Sequence, residues 1–450
     1  MQVPARSRGS TLAKADTSFL TKRVLLPAQR YFLTEITSGL LLLLAAVTAL
    51  IWANSPAADS YGLFWTTQVS IHFGTFSLEH TLREWINDAF MVVFFFVVGL
   101  EIKREFLHGE LSGWKRAALP IICAFGGMIV PALLYLLFNS GTQTLHGWGI
   151  PMATDIAFSL GIVSLAGNRL PTSARIFLLA LATVDDLGAI LVIAVFYSDH
   201  LSLIPLIWFA FAIAMILVMR RLGVRSTASY VPLGVLCWFA VLNSGVHATV
   251  AGVVLGLLTP TEPIHDKRSF SALAGGLVNG IQNSVDGADN DSAEAMLGRL
   301  GQLVTETEAP SDYLVRMLHP WTAYVILPFF ALANAGLTFN FAVLRNALFS
   351  PVTLGVFVGL FVGKSLGIAG FAYIATRLRV ATLMPHLTWI QVVGLAMLGG
   401  VGFTISLFIS DLAFSEQSII DMAKIGVFAA SLLSGVLGFL LLRFRKPAVS

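Results

Sequence analysis

The chain has 450 residues and a formal net charge of +3; 56% of its residues are hydrophobic and only 12% are charged. Because a soluble domain carries about 25% charged residues, this composition excludes an ordinary soluble protein. It indicates a polytopic membrane protein whose surroundings are the lipid bilayer. The small net charge gives no indication of nucleic-acid binding.

Motifs of metal, nucleotide and redox chemistry are missing from the sequence, which has no CxxC, no HExxH, no GxxxxGKS and no GxGxxG after a strand. Cys123 and Cys237 both lie in apolar runs, which is typical of packing residues rather than of a disulfide. We therefore expect no cofactor and no enzymatic activity.

The chain begins with a basic tail over residues 1–30, and the first long apolar run starts only near Glu35. That start is too late for a typical cleaved signal peptide, so we interpret the run as the first membrane span. Residues 31–450 are then predicted to form a single transmembrane domain.

A membrane helix needs about 20 mostly apolar residues. The segments that meet this condition are 35–54, 87–107, 117–138, 150–166, 173–198, 203–221, 230–244, 245–258, 319–337, 351–376, 388–412 and 420–444. The predicted fold is therefore an all-α polytopic membrane protein with about twelve transmembrane helices. Lys and Arg collect in alternate loops and in both tails, so both termini are predicted to be cytoplasmic.

Two of the segments between predicted spans are longer than simple connecting loops. The stretch 66–80, "TTQVSIHFGTFSLEH", has two short alternating runs around Phe73-Gly74 and predicts a β-hairpin on the outer side. The stretch from about 265 to 312 is polar and acidic, and we interpret it as a flexible cytoplasmic insertion.

Spans four and eleven are each interrupted, by "GWGIPMATD" and by "GGVGFT". Each is the middle helix of a three-span unit, and the two units run in opposite directions through the membrane. Paired interrupted helices in inverted repeats are a feature of secondary transporters.

The run "ALATVDDLGAILVIAVF" places two adjacent carboxylates, Asp185 and Asp186, in the middle of an apolar span. Carboxylates in the membrane are costly and usually functional. Two ionised neighbours repel each other, which favours protonation of one of them. Carboxylate oxygens also suit hard cations such as sodium. A site for competing protons and cations is therefore predicted, and the alternatives are a helix-end cap or a structural ion pair.

Three further polar residues lie inside predicted spans. Lys364 stands beside a ladder of glycines four residues apart, deep in span ten; the alternative is a lysine whose ammonium reaches the interface. Thr154 and Asp155 follow Pro151 at the break in span four. Asp155 is expected to cap helix ends and Thr154 to offer a neutral oxygen ligand, with a purely structural cap as the alternative.

Other polar residues lie near the ends of spans. Span two ends in a charged cluster that is either regulatory or an ordinary interfacial cluster: Glu101, Lys103, Arg104 and Glu105. His247 is interpreted either as a group that titrates near neutral pH or as a polar residue at a helix start. Asp88 is predicted to be an N-cap or interface residue.

Several stretches together resemble the NhaA-type bacterial sodium/proton antiporters. They are "NDAFMVVFFFVVGLEIKREF", "GWGIPMATDIAFSLG", "LATVDDLGAILVIAVFY", "SGVHATVAGVVLG", "LHPW", "LPFFALANAG", "GLFVGKSLGI" and "GGVGFTISLFI". The resemblance extends from about residue 31 to the end, apart from the acidic insertion. The family is an established example of inverted repeats with broken helices.

The resemblance implies that two interrupted helices cross, and that Asp185 and Asp186 form a transient sodium and proton site. It further implies that Lys364 pairs with Asp185, and that Asp155 and Lys364 balance opposed helix dipoles. Glu101, Arg104, Glu105 and His247 match the family's pH-response region, and the hairpin matches its dimer contact. The family often has a Glu shortly before "LHPW", where this chain has Val315 and Arg316.

The predicted function is electrogenic exchange of internal sodium or lithium for external protons by alternating access, in the bacterial inner membrane. An intramembrane aspartyl protease is one alternative, because Asp155 and Asp186 lie on different helices. A cation channel is another.

Overall fold

The computed structural model describes residues 26–73, 76–167, 170–198, 201–224, 227–263, 267–286, 290–338 and 341–443. Most of the predicted basic tail, residues 1–25, lies outside the described residues, as does the end of the chain after residue 443.

The described chain is almost entirely helical. In order, the helices are α1 (Leu26–Ala53), α2 (Ala58–Trp65), α3 (Leu82–His108), α4 (Trp114–Asn139), α5 (Ile156–Leu165), α6 (Thr172–Phe196), α7 (Leu203–Arg221), α8 (Thr227–Leu242), α9 (Thr249–Leu258), α10 (Lys267–Asp286), α11 (Asn290–Thr307), α12 (Pro310–Asn334), α13 (Phe341–Leu348), α14 (Pro351–Arg377), α15 (Trp389–Gly399), α16 (Phe403–Ala413) and α17 (Gln417–Arg443). Short 3₁₀ helices cover Glu110–Ser112 and Gln143–Met152.

Eight helices among the described residues are long and apolar enough to cross a membrane alone: the Ile36–Ala53 part of α1, and α3, α4, α6, α7, α12, α14 and α17. Two bent pairs each make a further, broken span: the 3₁₀ helix Gln143–Met152 with α5, and α15 with α16. The shorter apolar helices α8 and α9 match the seventh and eighth predicted spans. The prediction of an all-α membrane protein with roughly twelve spanning helices is confirmed.

Two predicted helix starts were wrong. The ninth span begins at Pro310 rather than near residue 319. Proline is well placed in the first helical turn, where its missing N–H would have no partner in any case. The second span begins at Leu82, because Thr81 and Glu84 form a capping box there. Asp88 therefore lies inside the helix, in a π-helical turn over Ile86–Phe90, and is not an N-cap.

The predicted β-hairpin is present. Strands β1 (Gln68–Phe73) and β2 (Phe76–Thr81) pair antiparallel, with Gln68 opposite Thr81 and Phe73 opposite Phe76. The side chains of Val69 and Ile71 are exposed.

The predicted insertion contains regular structure. Helices α10 and α11 occupy 267–286 and 290–307 and contact each other. Each helix has its apolar residues along one side, so this polar and acidic stretch contains two amphipathic helices. Flexibility of this segment as a whole stays a prediction.

By internal contacts the chain groups into two compact units, each containing membrane-spanning helices. One comprises Met1–Asn54, Ile122–Ala182 and Ala335–Ser450, and the other comprises Ser55–Ile121 and Thr183–Asn334. The single transmembrane domain predicted for 31–450 stays a prediction.

Close glycine contacts explain how helices pack inside each unit. In the first unit, a Cβ at Gly367 of α14 would lie 2.1 Å from the carbonyl oxygen of Gly126 on α4. In the second unit, a Cβ at Gly252 of α9 would lie 2.3 Å from the carbonyl oxygen of Val92 on α3. These backbones touch directly, as small residues allow at membrane helix interfaces.

Candidate functional site at the crossing of two broken helices

Both interrupted spans break where the sequence predicted. The 3₁₀ helix Gln143–Met152 ends in extended backbone before α5, and α15 ends before Gly400–Gly402 and α16. Each pair is bent by 41° at its break. Both breaks belong to the same compact unit.

The two breaks lie directly against each other. The backbone N–H of Asp155 donates to the carbonyl oxygen of Val401 at 2.7 Å. The Thr154 hydroxyl donates to the carbonyl oxygen of Gly399 at 2.8 Å, and the Ser159 hydroxyl donates to that of Leu398 at 2.9 Å. Carbonyl groups at the C-terminal end of α15 thus accept hydrogen bonds from the other broken span, which helps to satisfy this helix end.

Asp155 serves the N-terminal ends of two half-helices at once. Its Oδ1 accepts the backbone N–H of Phe158 at 2.9 Å in the first turn of α5. Its Oδ2 accepts the backbone N–H of Thr404 at 3.0 Å and the Thr404 hydroxyl at 2.6 Å in the first turn of α16. A buried carboxylate therefore faces two positive helix ends, which stabilises its negative charge. The predicted cap is present, and it caps the N-terminal ends of two helices, α5 and α16.

Lys364 is completely buried, which excludes the alternative of a lysine that reaches the interface. It follows a π-helical turn over Gly359–Gly363, and its Nζ donates to the Thr154 hydroxyl oxygen at 2.8 Å. Since Thr154 donates in turn to Gly399, an ammonium, a hydroxyl and a carbonyl form a chain at the negative end of α15. A Cβ at Gly127 of α4 would lie 2.9 Å from Cγ1 of Ile368 on α14, so this glycine allows the two helices to pack closely beside Lys364.

Asp185 and Asp186 lie in the other compact unit, near the middle of α6, and both side chains are buried. Asp185 lies thirteen positions after the first residue of α6, Thr172, and Asp186 lies ten positions before the last, Phe196, so neither carboxylate caps a helix end. Their roles in binding sodium and protons stay predictions.

The predicted pH-response residues do not form one cluster. Nε2 of His247 lies 3.6 Å from Asp88 Oδ1, and Nδ1 is 2.9 Å from the Thr249 hydroxyl. Glu101 stands thirteen residues after Asp88 on α3, about 20 Å further along the helix.

Arg104 and Glu105, near the end of α3, each have a different partner. Nε of Arg104 lies 3.8 Å from Asp312 Oδ1, with both side chains at least half exposed. Oε1 of Glu105 accepts the backbone N–H of Glu110 at 2.8 Å.

Four residues that the structure brings together near these helices were not predicted from the sequence: Thr404, Ser431, Asp411 and Lys424. Thr404 stands in the quoted "GGVGFT" stretch, as a hydroxyl directly after a break, and that position was the available signal. Asp411 and Lys424 lie in predicted spans eleven and twelve, and a charge in a span was again the signal.

Among the described residues, no group of three or more His, Cys, Asp or Glu could hold a metal ion.

The fold and the crossing together define a multi-pass helical membrane protein with paired discontinuous helices, the architecture of secondary transporters. Residues 29–442 match the family model described as Na+/H+ antiporter 1. Because that match covers nearly the whole chain, the protein belongs to this family.

Curated relatives are similar to this chain over nearly its full length. A protein named Na(+)/H(+) antiporter NhaA from Rhodopirellula baltica is 46% identical over 425 residues, which cover 94% of this chain and 95% of the relative. One of the same name from Oleidesulfovibrio alaskensis is 43% identical, covering 94% of each chain. Another, from a Janthinobacterium species, is 41% identical, covering 99% of this chain and all of its own.

Proposed function

We propose that this protein exchanges sodium, and also lithium, for protons across the bacterial inner membrane, with both termini in the cytoplasm. Family membership and the names of the relatives support sodium/proton exchange. The crossing is the observation on which the proposal depends most, since a buried carboxylate and a buried ammonium compensate opposite ends of broken helices there.

The chemistry of exchange follows from competition at carboxylates. A carboxylate that loses its proton gains affinity for a hard cation, and bound sodium in turn opposes protonation. We assign the cation to Asp186 and the pairing with Lys364 to Asp185, following the family resemblance. If protons and sodium stabilise different orientations of the carrier, each exchange step needs one of them to bind.

The membrane potential and the pH gradient would then drive protons inward and sodium outward. Exchange of more than one proton per sodium makes the cycle electrogenic. We further propose that Glu101, Arg104, Glu105 and His247 adjust activity to pH, at separate positions along the second span.

The protease alternative requires Asp155 to activate water. Both carboxylate oxygens of Asp155 already accept hydrogen bonds from helix N-terminal groups, which favours a compensating role over an acid–base role. The comparisons lend no support to a protease or to a channel.

The proposal is tested with purified protein in proteoliposomes that contain a pH-sensitive dye and carry a pH gradient. A sodium or lithium pulse should collapse the gradient at carrier rates, whereas potassium should not. Failure of sodium to move protons contradicts the proposal. Sodium flux far above carrier rates without proton movement would indicate a channel instead.

A further inference from the structure

The last two spans carry a buried ion pair that the proposed exchange site does not use. Nζ of Lys424 on α17 lies 2.9 Å from Oδ1 of Asp411 on α16, and these side chains are only 3% and 18% exposed. In the described part of the chain, no group donates a hydrogen bond to the buried Oδ2 of Asp411. The ammonium of Lys424 therefore compensates the negative charge of the Asp411 carboxylate. Charges inside membrane spans are costly and tend to serve a function.

The same two helices are also joined at the other end of α16. The backbone N–H of Phe403 donates to the Ser431 hydroxyl of α17 at 3.3 Å. Phe403 and Asp411 are eight residues apart, about 12 Å of helix, and Lys424 and Ser431 are seven apart, about 10.5 Å. The matching spacings mean that α17 holds α16 near both of its ends.

Helix α16 needs such support because the break at Gly400–Gly402 separates it from α15. A continuous helix would fix its position along its own axis, and the break removes that constraint. A slip by one residue moves the helix by about 1.5 Å. That slip is enough to disrupt the 2.6 Å bond from the Thr404 hydroxyl to Asp155.

We propose that Asp411 and Lys424 are positioning residues for ion exchange, which keep α16 in register on α17 so that Thr404 stays bonded to Asp155. The two helices then move as one body during the transport cycle. This inference depends on the proposed function, since its effect is read as a change in sodium exchange.

The first test measures sodium KM and maximal exchange rate for Asp411→Asn and Lys424→Met in proteoliposomes. We expect KM to rise at least about threefold in each variant, with a smaller change in maximal rate, because the helix ends at the crossing lose their register. Lys424→Arg keeps the charge and should restore KM. The charge exchange of Asp411→Lys with Lys424→Asp should recover most of it.

The matched control is Asp421→Asn, a second carboxylate on α17 whose exposed partner is Gln417. This variant should keep the KM of the unchanged protein. Equal KM values for the control, Asp411→Asn and Lys424→Met would contradict the positioning role.

A second measurement covers the case in which single variants fold poorly. Asp411→Cys and Lys424→Cys are combined in a background without Cys123 and Cys237, and the two thiols are joined by a short, reducible cross-linker. Exchange should continue after cross-linking, with a KM below that of the unlinked form. Loss of exchange that a reductant reverses would show that the helices must separate, and would overturn the inference.

The unchanged protein is assayed in the same vesicles. Its failure to exchange sodium contradicts the proposed function, whereas unchanged KM values beside an active parent contradict only the positioning role.

Discussion

At the residue scale, Thr154 has two partners that use different parts of its hydroxyl group. Its proton is directed to the Gly399 carbonyl, and a lone pair accepts from the Lys364 ammonium. A sodium ion bound to the Thr154 oxygen would lie beside the Lys364 ammonium, and the two positive charges would repel each other. The role predicted from sequence, a neutral oxygen ligand, is therefore linked to the position of Lys364.

Replacement of Thr154 by valine tests this link, because valine keeps the shape and removes both hydrogen bonds. Hydrogen bonds to charged groups contribute about 1.5–3 kcal/mol. We therefore expect about a tenfold or larger fall in sodium-dependent exchange for Thr154→Val, and near-normal exchange for Thr154→Ser. Equal activity of the two variants would show that the hydroxyl has no part in transport.

The sequence was sufficient to select Asp155 and Lys364, because charges in apolar spans are rare enough to notice. It could not pair Lys364 with Thr154, since 210 residues separate them in the chain. Nor could it show that one carboxylate caps two helices. That fact depends on the two breaks being in contact, which no local pattern contains.

At the scale of elements, glycine contacts set the distance between helices. A Cβ at Gly367 would meet backbone atoms of Gly126, and backbone cannot yield as a flexible side chain can. Gly370 lies three residues further on the same helix, and a Cβ there meets nothing within 4 Å.

We predict that Gly367→Ala lowers stability by about 1–3 kcal/mol, the usual cost of overpacking. Gly370→Ala should be tolerated and serves as the control. Thermal unfolding of the purified protein in detergent measures both. A Tm for Gly367→Ala equal to that of Gly370→Ala would mean that α4 and α14 do not pack this closely.

Element boundaries show where sequence patterns are informative and where they are not. Long apolar runs predicted the spans well, and the Gly and Pro residues predicted both breaks. The start of α12 was missed because its first turns, "PSDYLVRM", are polar enough to resemble a loop. Helices α10 and α11 were not predicted for the same reason, since the polar and acidic residues around them resemble a linker although both helices are amphipathic.

At the scale of the whole molecule, the hairpin β1–β2 is proposed to join two copies of the chain. Its exposed Val69 and Ile71 supply apolar surface on a short two-stranded sheet. This proposal follows the family resemblance.

Replacement of residues 68–80 by a short glycine-rich linker, which keeps the Thr81 cap of α3, should lower the fraction of dimer in detergent, as light scattering coupled to size exclusion would show. Exchange per chain should fall by less than about twofold, because the predicted ion-binding residues lie elsewhere. An unchanged dimer fraction would exclude the hairpin as the contact.

We propose that the adjacent carboxylates in the middle of α6 bind sodium and protons in turn. The most direct measurement is sodium-induced proton movement in proteoliposomes for Asp186→Asn, beside the exposed control Asp59→Asn. We predict that Asp186→Asn folds, reconstitutes and loses at least about 99% of the exchange, while Asp59→Asn keeps it. Normal exchange by Asp186→Asn would show that Asp186 does not bind the transported ions.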